Sequence, residues 1–75
     1  MSPASKVVVR LSAGQRQALT KVVRTGTRPA AMRRRAQILL KADADGPDAW
    51  TDERIAAHLE TSRMTVMRVR QQFAA

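Results

Sequence analysis

The chain has 75 residues, no cysteine and a formal net charge of +8 at pH 7, which bounds it to one small domain without disulfide or thiolate metal site. No apolar run exceeds three residues, so a membrane-spanning helix and a secretory signal are both excluded. Residues 1–42 carry ten Lys or Arg and no acid, all six acids fall within 43–60 beside the single base Arg54, and Arg63, Arg68 and Arg70 restore a positive end. A polyanion suits the first and last segments, with the acidic middle turned away or paired internally. The simpler alternative is a basic surface with no single partner.

Residues 1–11 form a lead-in and residues 12–75 a domain. Met1–Ser5 reads as a disordered start, and the β-branched Lys6–Leu11 as extended chain, since a lone strand has nothing to pair with. Ser12 with Gln15 makes a capping-box pattern that opens a helix over about 13–25. Ala18, Leu19, Val22 and Val23 are its apolar stripe, and Gly26 falls where a left-handed C-terminal cap belongs. Pro29 suits the first turn of a second helix over about 29–42, which should bury Met32, Ala36, Leu39 and Leu40. A loop follows, broken by Gly46-Pro47.

Thr51 caps a third helix over about 52–59, with Asp52 and Glu53 set against the positive end of its dipole and Ile55, Ala56 and Leu59 inward. Ser62 caps a fourth over about 63–73, with Val66, Val69 and Phe73 inward. Four short helices with a 3.6-residue period and short loops predict an all-α bundle.

The last two helices carry the chemistry. In a helix-turn-helix the two helices cross closely, so a small residue is needed at the fifth position of the unit, and Ala56 stands there. Ile55, Leu59, Val66 and Val69 fill the apolar positions that lock the pair. Ser62, Arg63, Met64, Met67, Arg68 and Gln71 are then the base-facing set, with Ser62, Arg63 and Met64 in the first turn, which enters the major groove. Arginine reaches guanine O6 and N7 or a phosphate, glutamine pairs with adenine or holds the backbone, and methionine suits a thymine methyl. Thr65 and the basic residues Arg10, Arg28, Arg33, Arg34 and Arg35 are the candidates for phosphate. Arg33–Arg35 fan around about 200° of helix and cannot all meet one partner. A plain helical core in which the valines and alanines merely pack is the alternative, set against Ala56, the Ser62 cap and the basic outer face.

The turn departs from the usual pattern. Glu60 occupies the place that favours glycine because the backbone there needs positive φ, at a cost of about 1 kcal/mol. Thr61 stands where an apolar residue is usual. Elsewhere, His58 has no second histidine or cysteine for a metal and reads as a surface or half-buried helix residue. Trp50 reads as a plug at the core edge rather than a base-stacking platform. Asp43, Asp45 and Asp48 lack the closing glutamate of a calcium loop and read as turn and capping residues. Asp52 and Glu53 diverge on their helix, which gives no support to acid–base catalysis. No cofactor or metal is expected.

Arg35-Ala36-Gln37-Ile38-Leu39-Leu40, Trp50-Thr51-Asp52, Ile55-Ala56 and Ser62-Arg63-Met64-Thr65-Val66, with Leu11-Ser12 before the first helix, resemble the N-terminal region of bacterial insertion-sequence transposases of the mariner superfamily. The likeness spans about residues 7–73. It implies a homeodomain-like module of about four helices that recognises the terminal inverted repeats of a mobile element. Family members continue into a second DNA-binding unit and an RNase H-like domain with an acidic metal-binding triad. This chain ends at Ala75 without room for that domain, so the expectation is a fragment or truncated product that is not itself an enzyme.

The function expected is sequence-specific double-stranded DNA binding in the bacterial cytoplasm, at the nucleoid, with no membrane partner and a homodimer in the full-length protein. A free-standing helix-turn-helix transcriptional regulator is the first alternative. A charge-reading RNA or nucleoid protein is disfavoured by one Phe, one Trp and no Tyr, which leave little to stack unpaired bases. A basic adaptor for an acidic protein is the remaining rival.

Overall fold

The computed structural model describes residues 8–74; the disordered start expected for Met1–Ser5, and the first residues of the lead-in, Lys6 and Val7, lie outside the described residues. Four helices follow one another: α1 (Ala13–Thr25), α2 (Ala30–Ala42), α3 (Asp52–Leu59) and α4 (Arg63–Ala74). No strand occurs among the described residues, and no helix is long and apolar enough to cross a membrane.

Side chains close to each boundary set where the helices begin and end. Ser12 Oγ accepts from the Gln15 backbone N–H at 3.1 Å while Gln15 Oε1 accepts from the Ser12 N–H at 2.8 Å, so two otherwise orphaned donors are satisfied reciprocally. Gly26 closes α1 at φ 66°, a conformation that costs glycine nothing. Thr51 and Ser62 cap α3 and α4 by accepting from Arg54 N–H at 3.2 Å and Thr65 N–H at 3.1 Å. Pro29 stands one place earlier than the sequence suggests. Its ψ of 150° is extended, so it serves as the N-cap, accepts the first helical bond from Arg33 N–H, and α2 begins at Ala30.

α2 is the centre of the molecule. It packs against each of the other helices, whereas α1 rests on α2 alone. The core is built from Val9 and Leu11 of the lead-in, Ile38, Leu39 and Ala42 of α2, Ile55 and Ala56 of α3, and Val66 and Val69 of α4. Leu19, Leu40, Trp50, Leu59 and Phe73 pack around its edge.

Two residues of α2 depart from the expected burial, in opposite directions. Met32 was expected inside but is 44% exposed, in a first turn where Ala30 and Ala31 are exposed as well. Ile38, outside the expected stripe, is fully buried because a helix covered on three sides needs an apolar arc wider than one stripe. In α1, Ala18 is exposed and Leu19, Val22 and Val23 are half-buried, as befits a helix with one neighbour.

Asp43, read from sequence as a turn residue, is the fully buried knot of the N-terminal half. One carboxylate oxygen accepts from the backbone N–H groups of Leu11 (3.2 Å) and Asp45 (3.0 Å), and the other from Arg16 Nε (2.9 Å) and Nη2 (2.7 Å). Arg16 also donates to the Leu11 carbonyl at 3.3 Å, and the Ala44 N–H donates to the Val9 carbonyl at 2.8 Å. Lead-in, α1 and the end of α2 are thereby tied at one point. Burial pushes the Asp43 pKa up, but the Arg16 bonds, the two backbone N–H groups and the Arg16 charge outweigh it and hold the pKa below its ordinary value. Gly46 leaves room for this knot: a Cβ there would meet Asp43 Oδ2 at 3.0 Å.

Candidate nucleic-acid interface

The join between α3 and α4 decides which side of α4 faces outward. Glu60 takes the left-handed conformation, φ 54° and ψ 47°, at the position where the sequence pattern requires positive φ. Its N–H donates to the Ala57 carbonyl at 3.4 Å, and the Thr61 N–H donates to the Ala56 carbonyl at 2.9 Å. This paired pattern is the Schellman termination, here made by a glutamate instead of glycine. Ala56, 8% exposed, sits within the same turn and lets the two helices approach closely.

A buried ion pair reinforces the crossing. Arg70 Nε donates to Asp52 Oδ1, both side chains being 7% exposed, and Arg70 Nη2 donates to the Trp50 carbonyl at 3.3 Å. The middle of α4 is thus bound to the first residue of α3 and to the loop before it. Sequence reasoning counted Arg70 only as part of the basic end. Its place, four residues after Val66 and next to Val69, put it on the inward face.

With Val66 and Val69 buried, the other side of α4 faces water. Met64 is 55% and Met67 37% exposed, and Arg68 and Gln71 are exposed beside them. At about 100° per residue, Met64, Arg68 and Gln71 share one narrow strip opposite Val66. Arg68 has no acidic partner among the described residues. Hydrogen bonds flank the strip. On one side Arg63 Nη1 donates to Glu53 Oε2 at 2.9 Å; on the other Arg35 Nη1 donates to Gln72 Oε1 at 2.9 Å. Ser62 is exposed, but its hydroxyl is engaged by Thr65 N–H and lies 2.9 Å from Thr65 Oγ1, so it acts first as a cap.

The residue pattern of this join is that of a known domain. The profile of the homeodomain-like domain matches residues 29–75, more than half of the chain. The chain belongs to the homeodomain-like family. No curated protein and no solved structure matches it. As a homeodomain-like helix-turn-helix, the domain is of a type suited to DNA binding.

The arginines of the homeodomain-like domain are not equivalent. Of those singled out for phosphate, Arg35 alone is hydrogen-bonded to α4 among the described residues. Arg10 is held at the α2–α3 loop by Asp45 at 2.7 Å, with both side chains largely in water. Arg33 is half-buried with its Nε on the Arg28 carbonyl at 3.3 Å, while Arg28 and Arg34 are exposed. Five of the six acids of the middle segment are paired: Asp43 with Arg16, Asp45 with Arg10, Asp48 with Lys41, Asp52 with Arg70 and Glu53 with Arg63, while Glu60 enters no ion pair among the described residues. Exposed cations with no acidic partner among the described residues then include Lys21, Arg24, Arg28, Arg34 and Arg68.

Trp50 packs at the core edge. Lys41 Nζ lies 4.5 Å and Arg54 Cζ 4.2 Å from its ring centre, and the exposed His58 meets it edge-on at 5.0 Å. Indole and imidazole serve each other here, and the two cations gain the attraction of the ring face. Among the described residues no group of three or more His, Asp or Glu is placed to hold a metal ion.

Proposed function

We propose that this homeodomain-like domain binds double-stranded DNA sequence-specifically by laying α4 in the major groove, with α3 bracing it from behind. The observation that supports this most is the division of α4: Val66 and Val69 are buried, while Met64, Met67, Arg68 and Gln71 are turned to water. Arg68 is suited to guanine, Gln71 to adenine, and the two methionines to thymine methyl groups. Ser62 and Arg63 open the same helix beside them. Thr65, Arg10, Arg28, Arg33, Arg34 and Arg35 are the proposed phosphate contacts. Pairing of five of the six acids with lysine or arginine leaves a cationic excess for the backbone.

The element bound is, in this proposal, the terminal inverted repeat of a bacterial insertion sequence, and the domain is the recognition module of a transposase acting at the nucleoid as a homodimer. The likeness in residues 35–40 and 50–66 supports that reading. The homeodomain-like family occurs in transposases and in other helix-turn-helix proteins, so a transcriptional regulator using the same helices is the competing assignment.

Selection of bound duplexes from a random pool tests the proposal directly. A defined motif should emerge, and with about five phosphates neutralised the logarithm of affinity should fall with the logarithm of salt at a slope near −4.5. Enrichment of no motif, with random and selected duplexes bound alike, would leave only charge-driven association.

A further inference from the structure

We propose that Glu53 is a positioning residue for base selection: it holds Arg63 so that one edge of the guanidinium is presented to a guanine. The inference rests on the DNA-binding reading above and names a specificity device within it.

Arg63 is the first residue of α4, in the turn proposed to enter the groove. Its Nη1 donates to Glu53 Oε2 at 2.9 Å, and this is the bond that links it to α3. Both side chains are more than three-fifths exposed, so the pair stands in water beside the outward strip and not within the core. The cap on α4 comes from Ser62, and the buried brace between α3 and α4 is Asp52–Arg70. The cap and the buried brace of the scaffold are therefore made by residues other than Glu53.

A guanidinium carries five N–H donors in a rigid plane. With Nη1 turned to Glu53, the Nε–Nη2 edge remains for a bidentate bond to guanine O6 and N7. An arginine already fixed in plane loses less rotamer freedom on binding than one that is free in water. The exposed carboxylate also repels phosphate by its charge. It thus opposes duplexes on which Arg63 finds no guanine, and selectivity gains from the attraction and the repulsion together.

Two substitutions separate these effects. Glu53→Ala removes both acceptor and charge; Glu53→Gln removes the charge but keeps an acceptor for Arg63. Affinities for the selected duplex, for the same duplex with its Arg63-contacted guanine replaced, and for a random duplex should be measured for wild type, both variants and Arg63→Ala. Glu53→Ala should reduce the preference for that guanine by roughly threefold to tenfold, through the rotamer freedom restored to Arg63. Glu53→Gln should tighten binding to every duplex while retaining more of the preference than Glu53→Ala. In the Arg63→Ala background, removing Glu53 should leave base preference unchanged. The inference is overturned if Glu53→Ala strengthens binding to all three duplexes equally, since Glu53 would then be a plain repulsive charge. A wild-type protein that bound no duplex at low salt would overturn the DNA-binding reading and this inference with it; a selective wild type matched by an equally selective Glu53→Ala would overturn this inference alone.

Discussion

Protonating Asp43 would place a carboxylic acid among four N–H groups that all donate: Leu11, Asp45 and two from Arg16. Its folded-state pKa lies below the ordinary value, so its contribution to stability is complete above about pH 4 and is lost as pH falls through the lower folded value. Asp43→Asn keeps the shape but removes the charge. It should cost on the order of 2 kcal/mol at pH 7, less than for a wholly buried pair because Arg16 remains about one-third exposed and can hydrate. Thermal midpoints followed from pH 7 to pH 3 should drop less steeply in the variant than in the wild type; parallel curves would remove Asp43 as the titrating group. Arg68 makes a separate case at the same scale. Arg68→Ala should reduce discrimination between selected and random duplex by about 1–3 kcal/mol if it reads guanine, whereas Arg34→Ala should weaken both alike. Competition titrations with the two duplexes distinguish these outcomes.

Among the elements, the α3–α4 turn carries a local cost for the sake of its path. Glu60 sits at φ 54°, where an L-residue with a Cβ is crowded by about 1 kcal/mol relative to glycine. Glu60→Gly should therefore raise the melting temperature by about 4–8 °C in a domain of this size, measurable by calorimetry or circular dichroism. An unchanged or lower midpoint would mean that the glutamate side chain contributes as much as its conformation costs. This position was legible in the sequence, as were the Ser12, Thr51 and Ser62 caps and the Gly26 terminus, because each is decided by residues within one turn. The inward set of α4 was legible for the same reason: Val66 and Val69 recur at helical spacing. What escaped were pairings across long stretches of chain. Asp43 with Arg16 and Asp52 with Arg70 join residues 27 and 18 positions apart, and nothing local says which basic residue meets which acid. Ile38 was missed because the sequence does not show that α2 is the helix surrounded by the others.

At the scale of the molecule, charge and packing divide the work differently. Five of the six acids are paired with a lysine or arginine, so the excess positive charge survives on the outside, where it can attract a polyanion from a distance of about a Debye length. Buried apolar side chains, by contrast, come from α2, α3 and α4, which lie within the homeodomain-like match at residues 29–75, and from Val9 and Leu11 of the lead-in. α1 has no fully buried residue and a single helical neighbour, and its one deep anchorage is the Arg16–Asp43 knot. A segment held in this way can peel off without global unfolding. Amide hydrogen exchange should accordingly report a smaller opening free energy for α1 than for α2 and α4, and Arg16→Ala should speed exchange in α1 while leaving α4 protected. The first helix would then behave as a hinged flap on a three-helix body, opening and reclosing on its own clock.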